Sequence, residues 1–308
     1  MSLPASELLA TARQAAAHQH WPTHALYVVA TPIGNLADFT LRAIHALTLA
    51  DAVACEDTRV SAGLLRHLGL DKPLLAVHEH NEREAAERVL QRLAAGERVA
   101  YVSDAGTPAI SDPGAWLVAR VRAAGHAVVP LPGASAVVTA LSAAGDGPLA
   151  GQPGGFVFAG FLPAKGRDRM AALQAAAAEA RSVVLFEAPH RVETLAAELA
   201  AACPTRRVTW CRELTKQFEQ IHATDAGASP AWLAAEATHQ RGEFVVVLHA
   251  LAPTAVADEA LPEAAQAMLR VLMRELPLKQ AVALAAELSG QPRNALYQRA
   301  LAERDKAH

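Results

Sequence analysis

The residues best suited to chemistry lie in short loops that directly follow apolar runs of the chain. The longest loop, 103–114 (SDAGTPAISDPG), offers the Asp104 carboxylate as an acceptor for an ammonium or hydroxyl group. Ala105 and Gly106 leave the loop backbone bare, so a flat ligand can lie against it. The two prolines of this loop fix φ and lower the cost of ordering it around a ligand. Two further loops have similar glycine and proline residues: 31–35 (TPIGN) and 131–135 (LPGAS).

Each of these loops taken alone is more often a turn than a binding site, and Ser135 is well placed to cap the helix that follows it. The three loops together, at successive strand ends, predict one shared ligand crevice. The crevice is not expected to bind a nucleotide through its phosphates. No G-x-G-x-x-G follows the first strand, and 160–167 (GFLPAKGR) lacks the residue order of a P-loop.

Charged residues with catalytic potential follow other apolar runs. Glu187 and Arg191 could contact a substrate, or they could form an ion pair at the i and i+4 spacing of a helix start. His78 and His80 could bind a metal ion, but alternate residues of a strand point to opposite faces and no third ligand is evident, so no metal site is predicted. The other members of these clusters are Glu56, Asp57, Arg59, Asn81, Glu82, His190, Arg212, Glu213 and Lys216.

These loops need a scaffold, and the sequence predicts one of alternating strands and helices. Short apolar runs predict strands at 26–30, 52–55, 99–103 and 127–131. Apolar residues at helical spacing predict helices at 41–49, 60–68, 83–95 and 115–124. This alternation favours a mostly parallel sheet covered on both faces, in which ligands bind at the carboxyl ends of the strands.

Composition shifts divide the chain into four parts. An alanine-rich extension at 1–25, interpreted as a frayed helix without an assigned role, precedes an α/β domain at 26–148. The segment 145–155 (GDGPLAGQPGG) marks the boundary to a second α/β domain at 153–252. Apolar runs there predict strands of a mixed sheet at 156–161, 182–186, 208–211 and 244–249.

The C-terminal part, 258–308, is expected to be helical. Its predicted helices are 263–275, 278–288 and 293–303. The last two resemble a helix-turn-helix, with Gly290 in the turn and Arg293, Asn294 and Arg299 on the following helix. The alternative is a simple helical cap that packs on the second domain.

Composition and charge exclude several classes of protein. The 308 residues have a formal net charge of −3, so any contact with nucleic acid must come from a local basic face. The three cysteines form no C-x-x-C pair, which argues against a disulfide scaffold or a structural zinc site and favours the cytoplasm. No apolar run approaches the roughly 20 residues that cross a bilayer, and the N-terminus does not resemble a secretory signal.

Ordered motifs across most of the chain resemble one branch of the tetrapyrrole (corrin/porphyrin) methylase superfamily. The motifs are the loop 103–114, TPIGN at 31–35, CEDTR at 55–59, HEHNE at 78–82, PLPGAS at 130–135, GFLP at 160–163, FEAPHR at 186–191 and RELTK at 212–216. The resemblance implies a two-domain α/β fold, usually a homodimer, that binds S-adenosylmethionine in a cleft between its domains. The implied reaction is 2′-O-methylation of a cytidine ribose in small-subunit (16S) ribosomal RNA. Whether naked RNA suffices stays open, but the net charge of −3 favours the assembled 30S subunit as the substrate.

The same resemblance suggests the residues of the site. Those expected at the cofactor are Pro32, Ile33, Gly34, Ser103, Asp104, Ala105, Gly106, Ile110, Ser111, Pro132, Gly133, Ala134, Ser135, Phe161 and Leu162. A positioned base, or a cation that lowers the pKa of the ribose hydroxyl, would help the hydroxyl to lose its proton, and Asp57 or Glu187 is expected to assist as the base. Basic side chains expected to contact RNA phosphates are Arg59, Lys165, Arg167, Arg169, His190, Arg191 and Lys216.

Two other functions stay open at this point. The same fold and cofactor could serve to methylate a tetrapyrrole-like small molecule, although HEHNE, FEAPHR, RELTK and the C-terminal helices favour RNA. A non-catalytic RNA-binding or ribosome-assembly factor could also retain the fold. A dehydrogenase is the weakest alternative, because its phosphate-binding loop is absent.

Overall fold

The computed structural model of the chain describes residues 4–78, 81–146, 154–251 and 261–305. The chain divides into two compact units: the first contains two β-sheets with their helices, and the second contains three C-terminal helices. The predicted boundary at 145–155 and the break before 258 fall largely outside the described residues. The division of the first unit into two α/β domains therefore stays a prediction.

The first sheet is entirely parallel, with strand order β3-β2-β4-β1-β5. Its strands are β1 (Ala25–Val29), β2 (Ala52–Cys55), β3 (Leu74–Ala76), β4 (Arg98–Val102) and β5 (Ala127–Leu131). The register places Val29 beside Val102 on one side and beside Leu131 on the other. The loops that follow β4, β1 and β5 therefore begin side by side at one edge of the sheet, as the sequence predicts.

Helices cover both faces of this sheet because alternate strand residues point to opposite sides. Tyr27 and Val29 pack in one buried cluster with Ile44, whereas Leu26 packs in another with Leu117. The helices are α1 (Ala5–Ala16), α2 (Leu41–Leu49), α3 (Thr58–His67), α4 (Glu82–Ala94), α5 (Ala115–Ala123) and α6 (Ala136–Ala144).

The N-terminal extension is better ordered than its composition suggests, so its interpretation as a frayed helix is wrong. Ala12 and Ala16 of α1 are fully buried, and Ala12 packs in the same cluster as Ile44 of α2. Trp21 Nε1 donates a hydrogen bond to the carbonyl of Ala16 (2.9 Å), which ties the end of the helix to the following loop. Small alanine side chains allow the close approach of α1 and α2.

The second sheet is mixed, as predicted, with strand order β6-β7-β10-β8-β9. Only β6 and β7 are parallel. Its strands are β6 (Phe156–Phe161), β7 (Ser182–Glu187), β8 (Arg207–Arg212), β9 (Gln220–Asp225) and β10 (Phe244–Leu248), and its helices are α7 (Gly166–Ala178), α8 (Val192–Ala202) and α9 (Ser229–Ala235). The sequence did not predict the edge strand β9, since its alternation of apolar and polar residues (QIHATD) is weak.

The second unit is a bundle of α10 (Glu263–Glu275), α11 (Leu278–Ser289) and α12 (Arg293–Asp305). Leu269, Val282 and Leu296 form its core, one from each helix. Gly290 ends α11 with a φ of 66°, a left-handed conformation that glycine adopts without steric cost. These elements confirm the predicted helices and the turn at Gly290. No helix among the described residues is long and apolar enough to cross a membrane.

Candidate functional site

Hydrogen bonds join the three loops at the carboxyl edge of the first sheet. The backbones of Thr31 and Gly106 exchange two hydrogen bonds, of 2.9 and 3.1 Å. The buried Thr31 hydroxyl donates to the carbonyl of Ser103 (3.1 Å), and the Thr107 hydroxyl donates to the carbonyl of Ala134 (3.0 Å). Neutral hydroxyl and backbone groups therefore hold the loops after β1, β4 and β5 in one fixed arrangement.

The far end of the loop 103–114 is anchored separately. The Tyr101 hydroxyl donates to the carbonyl of Pro113. Glu82 Oε1 accepts hydrogen bonds from the backbone nitrogens of Gly114 (2.9 Å) and Leu117 (3.3 Å), so Glu82 caps the first turn of α5. A Cβ on Gly114, whose φ is 120°, would lie 2.3 Å from the Tyr101 ring, so only glycine fits here. Thus Glu82 of the HEHNE motif positions the loop; His80 lies outside the described residues.

A third anchor comes from the loop after β2. The backbone nitrogen of Asp57 donates to Asp104 Oδ1 (3.2 Å). The Asp57 carboxylate accepts from the backbone nitrogen of Arg59 (2.8 Å) and pairs with the Arg59 guanidinium (2.6 Å). These hydrogen bonds lower the pKa of Asp57 to about 2. The Asp57 carboxylate is therefore committed to its own helix start.

Two other carboxylates near these loops, Asp112 and Glu56, have pKa values shifted upward, in contrast to Asp57. Burial raises the pKa of Asp112, and the nearby Asp104 carboxylate raises it further. Burial also raises the pKa of Glu56, followed by the effect of Asp112. Removing a carboxylate from water and placing it near other negative charges disfavours its ionised form.

The opposite side of the site is the end of β7 in the second sheet. Glu187 is buried, with its carboxylate 3.1 Å from Arg191 Nε and 3.4 Å from Arg169 Nη2. Its Oε1 also accepts from the backbone nitrogen of Ala188 (3.0 Å). Arg169 further pairs with Glu198 (2.7 Å). The ion pair between Glu187 and Arg191 that the sequence left open is therefore formed, and it belongs to a larger buried network.

Lys216 of the RELTK motif contacts the TPIGN loop across the site. A Cβ on Gly34 would lie 2.5 Å from Cγ of Lys216, so a side chain there would displace the lysine. The Lys216 ammonium pairs with Glu213 (2.9 Å) and Glu243 (2.8 Å). Burial lowers the pKa of Lys216, but the two carboxylates outweigh that effect and the net shift is upward. Lys216 thus joins the two sheets through neighbouring side chains.

Backbone strain concentrates around the same site. Among the described residues, four non-glycine residues have positive φ, and three of them lie on its loops: Ala109, Glu213 and Thr215. Such conformations cost free energy and persist where the surrounding structure over-determines them, which happens most often at functional sites.

A cavity of about 400 Å³ lies among these loops, in the size range of small-molecule sites. Seven residues expected at a cofactor line it, together with Glu187: Ile33, Ala105, Gly106, Ile110, Ser111, Ser135 and Phe161. Ser135 stands at the N-cap of α6 but makes no side-chain capping hydrogen bond, which leaves its hydroxyl available. The other eight expected cofactor residues are not in the lining: Pro32, Gly34, Ser103, Asp104, Pro132, Gly133, Ala134 and Leu162.

The remaining lining residues were not singled out from the sequence. They are Thr107, Asp112, Ala136, Val137, Phe186, Ala188, Pro189, Leu214, Glu243, Phe244 and Val245. Thr107 and Asp112 lie within the loop 103–114, and Phe186, Ala188 and Pro189 lie within FEAPHR, so the motifs contained a signal for them. Glu243 and the start of β10 had none, because antiparallel pairing with β7 and β8 brings them to the site.

The basic residues expected at RNA phosphates separate into two groups. The side chains of Arg59, Lys165, Arg167 and His190 are exposed. Arg169, expected on an exposed loop, is instead buried in the network around Glu187 because its helical position turns it inward. Arg191 also donates to the carbonyl of Leu162 (2.7 Å), so its guanidinium, like the Lys216 ammonium, is engaged within the protein.

Comparison with known families gives two matches. The tetrapyrrole (corrin/porphyrin) methylases match residues 25–230, and the RsmI C-terminal HTH domain matches residues 259–304. The second match confirms the predicted helix-turn-helix.

Curated relatives match over nearly the full chain. A protein of Neisseria meningitidis serogroup A is 47% identical over 91% of this chain and 94% of its own length, and one of Pseudomonas aeruginosa is 47% identical over 92% and 98%. A protein of Escherichia coli O157:H7 is 46% identical over 90% and 94%. All three are named ribosomal RNA small subunit methyltransferase I.

Solved structures share the fold at low identity. A cobalt precorrin-4 methyltransferase has a TM-score of 0.55 at 19% identity, covering 75% of this chain and 97% of its own. A diphthine synthase has a TM-score of 0.55 at 14% identity, covering 73% and 89%. At these identities the likeness concerns the fold alone.

Proposed function

Because the chain belongs to the tetrapyrrole (corrin/porphyrin) methylase family, we propose that it methylates the 2′-hydroxyl of a cytidine ribose in small-subunit ribosomal RNA. The chain is an S-adenosylmethionine-dependent methyltransferase, and its relatives across nine-tenths of its length carry the name of a small-subunit ribosomal RNA methyltransferase. The observation that carries the proposal is the cavity among the ordered motifs, lined by Leu214 of RELTK and by residues 186–189 of FEAPHR.

The residues present fit S-adenosylmethionine. The cavity of about 400 Å³ combines apolar side chains, bare backbone at Ala105 and Gly106, and the free hydroxyl of Ser135. A Cβ on Gly106 would lie 3.2 Å from Cγ2 of Ile33, so a side chain there would crowd the wall. We propose that the lining residues in the loops after β1, β4 and β5 hold the cofactor, and that Phe161 of the second sheet contributes an apolar surface.

When bound, the cofactor supplies a methyl group activated by a sulfonium. The protein's task is then to align the ribose hydroxyl with that group and to exclude competing water. Holding two reactants in the reactive geometry can contribute roughly 7–11 kcal/mol. The hydrogen-bonded loops after β1, β4 and β5 provide the rigid wall that such alignment needs.

The two carboxylates expected to accept the hydroxyl proton have other tasks in this structure. Glu187 lines the cavity, but Arg169, Arg191 and the backbone nitrogen of Ala188 engage its carboxylate. Asp57 is not among the lining residues and is paired with Arg59. We therefore propose that Glu187 shapes the wall of the cavity and that Asp57 starts α3, with neither acting as the base.

The exposed basic side chains supply contacts for RNA. We propose that Arg59, Lys165, Arg167 and His190 contact phosphates around the cavity, and that Arg191 and Lys216 instead hold the site together. The helix-turn-helix would add a second contact. A net charge of −3 makes general attraction to RNA weak, so recognition of the assembled 30S subunit is the mode that we favour. We also propose a cytoplasmic homodimer.

Methyl transfer from labelled S-adenosylmethionine to small ribosomal subunits that lack the modification tests this function. Digestion and mapping should locate the label on a ribose 2′-oxygen of a cytidine, with less label on the naked RNA. Label on a base would contradict the 2′-O assignment. Cofactor binding without label on any ribosomal substrate would instead favour a small-molecule acceptor, and absence of cofactor binding would favour an assembly factor.

A further inference from the structure

Three carboxylates line the cavity, and they differ in what they contact. Glu187 is paired with two arginines at the end of β7 in the second sheet, and Glu243 is paired with Lys216 while its side chain stays 80% exposed. Among the described ion pairs, Asp112 has no cationic partner. Asp112 is therefore the one lining carboxylate that no described ion pair holds in its ionised form.

We infer that Asp112 is the catalytic base that accepts the proton of the ribose hydroxyl in the proposed reaction. The hydroxyl oxygen forms the new bond to the methyl carbon of S-adenosylmethionine, and the methyl–sulfur bond breaks with its electron pair left on sulfur. The O–H bond pair stays on oxygen while the proton passes to the Asp112 carboxylate. The products are the methyl ether, S-adenosylhomocysteine and the protonated acid. This inference rests on the proposed function.

The position of Asp112 suits that role. Asp112 follows Ile110 and Ser111, which line the same cavity and have exposed side chains, so it lies where a substrate can enter. Its own side chain is only partly exposed. The Tyr101–Pro113 hydrogen bond and the cap from Glu82 to Gly114 fix the backbone directly after it. A base must be held in place to act, and these contacts provide the rigidity.

The electrostatic surroundings support the same conclusion. Burial first, and then the Asp104 carboxylate, raise the pKa of Asp112, while the Ser103 hydroxyl opposes this. A higher pKa makes a carboxylate a better proton acceptor, provided that it remains ionised at working pH. Glu56 and Tyr101 of the first sheet also interact electrostatically with Asp112, and Glu82 acts on the same tyrosine. From the second sheet, the carboxylates of Glu187 and Glu243 line the same cavity.

The test compares the wild-type chain with Asp112→Asn, Asp112→Glu and the exposed control Asp71→Asn. At saturating cofactor, Asp112→Asn should lower kcat by roughly 10²–10⁴-fold, and Asp112→Glu should restore part of it. The wild-type rate should rise with pH through the pKa of Asp112 and then level off, and this rise should vanish in Asp112→Asn. Cofactor affinity, measured by calorimetry on the free protein, and thermal stability should stay unchanged, as should all properties of Asp71→Asn.

A second readout needs no substrate. Carboxyl carbon NMR of the free protein should show Asp112 titrating above the usual range for aspartate, and an ordinary value would overturn the inference. Wild-type activity in Asp112→Asn would overturn it too, as would loss of cofactor binding with kcat retained, since Asp112 would then hold the cofactor. A wild-type protein that labels no small subunit would remove the proposed function itself, and the inference with it.

Discussion

The loops after β1, β4 and β5 are joined to one another by neutral hydrogen bonds, whereas the end of β7 in the second sheet is held by buried charges. Thr31 and Thr107 donate to backbone carbonyls of neighbouring loops and leave small residues bare toward the cavity. Glu187 instead sits between Arg169 and Arg191, with its side chain fully buried. Each arrangement rigidifies a different wall of the same cavity.

The difference indicates where chemistry can occur. A buried charge is tolerated only when it is paired, so the carboxylate of Glu187 is committed to Arg169 and Arg191. The wall formed by the three loops of the first sheet, here called the neutral wall after the hydrogen bonds that join its loops, contains no such buried ion pair, and Asp112 lies there without a cationic partner among the described ion pairs. The ion-paired residues Glu187, Arg169 and Arg191 are here called the charged wall. We therefore expect the charged wall to contribute most to stability, and the neutral wall to contribute most to ligand binding and catalysis.

The largest effect should follow from breaking the charged wall with Arg169→Met. This change leaves Glu187 with one arginine and Glu198 without its partner, and removing one member of a buried ion pair costs about 3–5 kcal/mol of unfolding free energy. Urea unfolding followed by circular dichroism measures this loss. Arg167→Met, two residues earlier on the same helix and exposed, is the matched control and should change stability by less than about 0.5 kcal/mol. Equal losses in both variants would contradict the comparison.

The contact between the two walls should be sensitive to Gly34→Ala. The added Cβ would meet Cγ of Lys216 at 2.5 Å and push the ammonium away from Glu213 and Glu243. We expect a loss of about 1–2 kcal/mol by overpacking, with weaker cofactor binding. Thermal unfolding and calorimetry measure both quantities.

Gly63→Ala is the control for that substitution. Gly63 lies inside α3, and a Cβ there would meet nothing within 4 Å. This variant should gain about 0.5–1 kcal/mol, because alanine is the better helix former. Changes in unfolding free energy of opposite sign for the two glycine variants would support the contact between the two walls. A Gly34→Ala variant more stable than the wild type would contradict it.

On the neutral wall, Thr31→Val should cost about 1 kcal/mol, since the carbonyl of Ser103 loses a buried donor. This loss is smaller than that of Arg169→Met because no charge is left unpaired. We expect a clearer effect on cofactor affinity, measured by calorimetry, because the loops would lose their fixed arrangement. Thr139→Val on α6, whose hydroxyl makes no hydrogen bond in the described structure, should change neither quantity.

The smallest effect concerns the exposed pair of Asp57 and Arg59. Hydrogen bonds from Arg59 lower the pKa of Asp57 from 3.8 to about 2. The pair therefore stabilises the fold at pH values above 3.8, the pKa of Asp57 in the unfolded chain, and this contribution is lost as the pH falls toward 2. Unfolding free energies of the wild type and Arg59→Ala should therefore differ slightly near neutral pH and converge in acid. A difference that grows as the pH falls would have the wrong sign.

Most of the fold could be predicted from the sequence. Continuous apolar runs indicated the strands of the parallel sheet, because strands buried on both faces need no polar residues. The edge strand β9 escaped prediction, since one exposed face breaks its apolar pattern. The sequence indicated a helix in the N-terminal extension but not the packing of α1, because alanines at helical spacing do not reveal whether a partner covers them.

The sequence by itself determined the loops of the site. Motifs with glycine, proline and small polar residues marked the three loops of the first sheet, and local chain chemistry was enough to find them. Tertiary structure alone decided which charged residues are free. Glu187 is paired with Arg169 and Arg191, whereas Asp112 lines the cavity without an ion-pair partner among the described residues. Burial and pairing between residues far apart in sequence decide whether each carboxylate has a partner. Those terms depend on distances in space, which residue spacing along the chain does not contain.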